Sequence, residues 1–171
     1  MLKHHYRLLG GAGTVVTACV IALSGAMTAS AAPAGPRPAG AGTEHFQFMS
    51  TSGTGNTGKI IASGLFTAAG TDHEGAHNLS KFVFANGTIR IRHSPGKGPQ
   101  HFDPNTCLLT LHLHGTYQLL GGTGRYAGIS GGGKYQLSIL AIGAKSNGKC
   151  TKNKPPVALE QLIQASGPVR L

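Results

Sequence analysis

The residues best suited to chemistry in this chain are histidines and tyrosines spaced for a pleated strand. His112 and His114 flank Leu113, which puts two imidazoles on one strand face about 7 Å apart. A third ligand from His73, His77, His93 or His101 would complete a metal site. The opposite face of that run, however, carries Leu109, Leu111 and Leu113, which belong in a core. The two histidines then face solvent, so no metal and no other cofactor is expected. His93 shares a face with Ile89 and Ile91, Tyr117 with Leu109, Leu111 and Leu113, and Tyr135 with Leu137 and Ile139. A polar tip on an apolar inner face can orient or polarise a ligand. His93, Tyr117 and Tyr135 are therefore the ligand-cavity candidates. The competing expectation is a filled interior in which the same groups hydrogen-bond to their neighbours.

Other chemistries lack their residues. Residues 128–134 match GxxxxGK, but Tyr135 follows where a phosphate loop needs the Ser or Thr hydroxyl for Mg²⁺. The run after it, YQLSILAIG, reads as strand and not as the helix such a loop must open. In GTGRYAG, from Gly122, the last glycine falls one place late for GxGxxG. Residues 128–132, GISGG, have the GxSxG spacing around Ser130, but the strand-like run that follows is not the helix a nucleophile elbow must open. Glu160 has no partner carboxylate close in sequence, so glycosidase logic does not apply. No catalytic residue is assigned.

The elements that would position these groups are strands. EHFQFMSTS, residues 44–52, alternates with Phe46 and Phe48 on one face. A polar turn at 53–58 leads to a strand over 59–69, eased by Gly64, and then to a loop over 70–78 carrying Asp72, His73, Glu74 and His77. LSKFVFA and TIRIRHS flank Asn86-Gly87, the favoured central pair of a type I′ hairpin, with Arg90 and Arg92 facing away from Ile89 and Ile91. A Pro/Gly loop over 94–106 precedes a strand from Cys107 to Gln118. Residues 115–135 are glycine-rich but hold Tyr117, Leu119, Leu120, Tyr126, Ile129 and Tyr135, unlike a flexible linker. They read as strand, tight connection, short strand, second connection, strand. VALEQLIQA suits either period, and the Pro155-Pro156 start favours a strand. Seven to nine antiparallel strands and no long helix predict an all-β barrel or sandwich.

The first 31 residues read as a signal peptide: Lys3 and Arg7, an apolar segment, and Ala29-Ser30-Ala31 as an A-x-A cleavage site. Secretion, with no stable membrane insertion after cleavage, follows as the expectation. Residues 32–42, APAGPRPAGAG, read as a disordered spacer and 43–171 as the folded domain. Cys19 leaves with the leader, so Cys107 and Cys150 remain as an even pair and are expected to form a disulfide. Of the 15 Lys and Arg, 13 lie beyond the leader, against five Asp and Glu. These charges are scattered, which does not favour nucleic acid as a partner. Only Lys145, Lys149, Lys152 and Lys154 cluster, an arrangement that would suit an anionic cell-surface polymer.

HFDPNTC at 101–107, the glycine-rich run at 115–135 and the late strand ending in ASGPV resemble small secreted actinobacterial proteins. Their fold is similar to the allene oxide cyclase and dirigent barrels, and GGTGRYAG at 121–128 carries most of the likeness. The resemblance covers roughly residues 81–171. It implies a single eight-stranded antiparallel barrel with an apolar interior able to hold a small hydrophobic ligand. Plant relatives use that cavity to cyclise an epoxide or steer phenoxy-radical coupling, but no motif transfers their catalytic residues to this chain. Three functions are therefore carried forward: binding of a small apolar ligand, cofactor-free cyclisation or isomerisation using His93, Tyr117 or Tyr135, and cell-surface interaction through basic loops. Oligomeric state is not legible.

Overall fold

The computed structural model describes residues 40–51, 57–151 and 153–171. The expected leader, most of the spacer, residues 52–56 and Lys152 lie outside these residues. In chain order the strands are β1 (Ala41–Ser50), β2 (Thr57–Gly64), β3 (Ala68–Glu74), β4 (Leu79–Phe84), β5 (Gly87–His93), β6 (Gln100–Phe102), β7 (Leu108–Gly122), β8 (Ser130–Ile142), β9 (Lys145–Ser146), β10 (Lys149–Cys150) and β11 (Ala158–Arg170). Eight of them close into an antiparallel barrel in the order β1-β2-β3-β4-β5-β7-β8-β11, with β11 returning to β1. Closure leaves none of these eight as an open sheet edge. No helix among the described residues is long and apolar enough to cross a membrane.

Period-two alternation decides which side chains enter the barrel. In β1 Glu44, Phe46, Phe48 and Ser50 are buried and the residues between them exposed. β5 buries Ile89 and Ile91 while Arg90 and Arg92 stay outside. Phe46, Phe66, Phe82, Phe84, Tyr117 and Tyr126 form a chain of tilted and edge-on rings with centroids 5.0–6.5 Å apart. Such contacts add to the area burial that drives assembly.

The chain departs from the sequence reading at several places. The expected strand over 59–69 is two strands. Gly64, at φ +137°, ends β2, and the Glu44 carboxylate accepts the Phe66 amide proton at 3.1 Å inside the bend. The expected loop over 70–78 consequently begins as β3, paired to β2 and β4, with Asp72, His73 and Glu74 in strand. In the β4–β5 hairpin Phe84 opposes Gly87, so Ala85-Asn86, not Asn86-Gly87, form the turn, and Asn86 does not have positive φ. Finally, the middle of 115–135 holds no short strand. β7 runs on to Gly122, and a 3-10 turn at Gly124–Tyr126 leads into β8. The register between β5 and β7 shifts between Ile89 and Ile91, a bulge that absorbs part of the Leu-Leu-Gly-Gly run. VALEQLIQA is strand, as β11.

Two connections hold the barrel ends. Tyr126, 2% exposed, packs on Phe66 and Phe84 at 5.0 and 5.3 Å, and Ile129 is buried beside it, so GGTGRYAG plugs the end formed by the β2–β3 and β4–β5 turns. At the other end residues 103–107 of HFDPNTC form a turn after β6. Asp103 accepts from the Asn105 amide (2.8 Å) and the Thr106 hydroxyl (2.7 Å), which presents Cys107 at φ 63°. Cys107 and Cys150 are at disulfide distance, with Cα atoms 5.2 Å apart, tying the start of β7 to the β9–β10 ribbon.

Candidate functional site

The half of the barrel away from the Tyr126 plug is not filled. A cavity of about 110 Å³ lies there, walled by Phe46, Phe48, Ile60, Phe82, Ile91 and Leu137. His93, Tyr117 and Tyr135 all line it. His93 and Tyr117 are cross-strand partners between β5 and β7, so their side chains share the inner face. Tyr135 stands on β8 opposite Gly115, where a Cβ would press on the tyrosine ring at 2.6 Å. Glycine at 115 thus makes room for Tyr135. Its hydroxyl donates to the Ser94 carbonyl at 2.8 Å, securing the chain as it leaves β5. The His93 and Tyr135 rings meet edge-on with centroids 6.1 Å apart.

The charged part of the cavity comes from β3, which the sequence reading treats as loop. Asp72 points inward, 6% exposed, and its Oδ1 has no hydrogen-bond partner among the described residues. Burial pushes its carboxyl up to about 7, and the Glu74 carboxylate adds to the rise. Hydrogen bonds from the His73 amide and Ser80 hydroxyl oppose it. Glu74 lies at the rim, with its Oε1 3.9 Å from His93 Nε2, an ion pair when that imidazole is protonated. Gln161 of β11, also buried, adds an amide to the lining.

Two further polar groups are buried in the barrel. Tyr117 is 7% exposed with a hydroxyl lacking a partner among the described residues; burial, and secondarily the Glu44 charge, push it up to about 12. Glu44 is fully buried, and desolvation raises its carboxyl against the opposing hydrogen bonds from the Phe66, Leu65 and His45 amides. Glu44 serves the β2–β3 bend and does not line the cavity.

Asp72, Glu74, Ser80 and Gln161 are the lining residues that sequence reasoning missed. The available signal was alternation through Ala68, Gly70, Asp72 and Glu74, in which small residues give way to acids on one face. His112 and His114 stand on the outside of β7, exposed, with His112 Nδ1 3.4 Å from Ser138 Oγ. No group of three or more His, Cys, Asp or Glu suited to a metal assembles among the described residues. Lys145, Lys149 and Lys154 are exposed around the β9–β10 ribbon; Lys152 lies outside the described residues. Comparison with protein-family models, with curated proteins and with solved structures finds no match to this chain.

Proposed function

We propose that this chain is an exported barrel of the allene oxide cyclase/dirigent type that binds one small, mainly apolar molecule in the cavity between Phe46, Phe82 and Leu137. The observation that carries this reading is an unfilled, aromatic-walled space in one half of a barrel whose other half is packed by Phe66, Phe84, Tyr126 and Ile129. An apolar guest would gain the contacts its walls lack. The exposed lysines around Cys150 are a solvated surface beside this site and supply no recognition of their own in this reading. Titration with the neutral dye Nile red tests it: one equivalent should bind with a blue shift, and Leu137→Trp, which fills the cavity, should abolish binding while remaining folded. Equal dye binding by both proteins would contradict it.

A second reading, a cofactor-free cyclase or isomerase, is favoured by Asp72. A carboxyl held at about 7 in an apolar site can both give and take a proton near neutral pH. His93, Tyr117 and Tyr135 then orient the reacting molecule. Asp72→Asn should abolish turnover of any substrate found and leave its binding in place, as read by single-turnover kinetics.

A further inference from the structure

The cavity is apolar except on one side, and that side is acidic. The whole chain has only five Asp and Glu against 15 Lys and Arg. Two of those five, Asp72 and Glu74, line this one cavity, and none of the described residues lining it is Lys or Arg. A strongly basic protein thus lines this aromatic-walled cavity with two carboxyl groups and, among the described residues, no Lys or Arg. Asp72 is cross-strand partner to Phe82, whose ring stacks against that of Phe46 at 5.4 Å, so carboxyl and aromatic surfaces are adjacent. The Asp72 Oδ1 is buried, lines the cavity and has no partner among the described residues.

We infer that the cavity is selective for an organic cation: an apolar, amine-bearing molecule whose ammonium meets Asp72 and Glu74 while its hydrocarbon body lies among Phe46, Phe82 and Leu137. This rests on the ligand-binding reading above and gives the ligand its chemical class. An ammonium donates to the open oxygen of Asp72 and relieves the repulsion between Asp72 and Glu74. Aromatic faces attract the same charge. A neutral alcohol fills the walls equally well but leaves the paired acids uncompensated. A carboxylate meets two like charges with no Lys or Arg in the described lining to answer it. Because the ammonium binds the ionised carboxylate, amine affinity rises with pH as Asp72 deprotonates. The groups facing Asp72 across the cavity are Glu74 on its own strand, Ser80 on β4, His93 on β5, Tyr117 on β7 and Tyr135 on β8. Asp72 and Glu74 are the carboxyl groups among them.

The test is competition for bound Nile red by three molecules of one skeleton: 4-phenylbutylamine, 4-phenylbutanol and 4-phenylbutanoate. At about pH 8 the amine should bind at least about ten-fold more tightly than the alcohol, with the carboxylate weakest. Asp72→Asn should remove the amine's advantage and leave the alcohol unchanged. Glu74→Gln, at the partly exposed rim where folding is not at stake, should reduce it. Alcohol binding with no amine preference, or an amine preference that survives in both variants, overturns this inference alone. Failure of all three molecules and of the dye overturns the ligand-binding reading itself.

Discussion

At the scale of single residues, Asp72 is where burial and charge are most at odds. Its carboxyl has an ordinary value of 3.8 and is held at about 7 in the folded protein. Between those values the folded state keeps a proton that the unfolded chain has released. The ligand-free protein therefore loses stability as pH rises from about 4 to about 7, and the loss is complete above that window. Asp72→Asn removes the ionisable group. The variant should be more stable than the parent at about pH 8, by roughly 2–4 kcal/mol, and show no such gain at about pH 4. Thermal unfolding at the two pH values measures this, and an equal difference at both would contradict the assignment. Glu44 is buried for another purpose: it accepts the Phe66 amide in the β2–β3 bend. Glu44→Ala should cost about 1–3 kcal/mol by leaving that amide unpaired, read from urea unfolding.

At the scale of elements, the barrel depends on how its ends are held. Tyr126 closes one end against Phe66 and Phe84 from a three-residue 3-10 turn. Tyr126→Ala should destabilise the protein by about 3 kcal/mol and expose the filled half to solvent, measurable by the denaturation midpoint and by hydrogen exchange in β4 and β5. At the other end Cys107 and Cys150 are separated by 43 positions, and closing that loop stabilises by about 4 kcal/mol on the chain-entropy account. Reduction should lower the unfolding free energy by that amount without changing the fold seen by circular dichroism. Strands with apolar residues at even spacing on the inner face were readable from alternation: β1 with Phe46 and Phe48, β5 with Ile89 and Ile91, β7 with Leu113 and Tyr117. β3 was not, because its inward position is an aspartate, and acids between glycines read as loop. The Asn-Gly pair located the hairpin but not its centre, since pairing of Phe84 with Gly87 moves the turn one residue back. The glycine-rich run was legible as a corner. Its internal form was not, because the close approach of Gly133 to the Ser166 carbonyl and of Gly131 to that of Pro168 is set by partner strands.

At the scale of the whole molecule, the barrel is closed by its two outermost described strands. β1 pairs with β11 along its entire length, from Ala41 opposite Arg170 to Ser50 opposite Gln161. Ala41 and Gly42, the last residues expected in the spacer, are therefore part of the barrel wall. His93, Tyr117 and Tyr135 could be placed on inner faces from the sequence because each lies at even spacing from apolar residues. The cavity between them could not, because empty space depends on how side chains from opposite walls meet. In the proposed function this space is occupied in use by a small, mainly apolar molecule. Native mass spectrometry of the purified protein, alongside Leu137→Trp, tests that claim most directly. The parent should retain or take up one apolar molecule, and Leu137→Trp should show only the bare mass with the same disulfide. A bare mass for both proteins, unchanged after exposure to a library of hydrophobic compounds that includes amines, would contradict it.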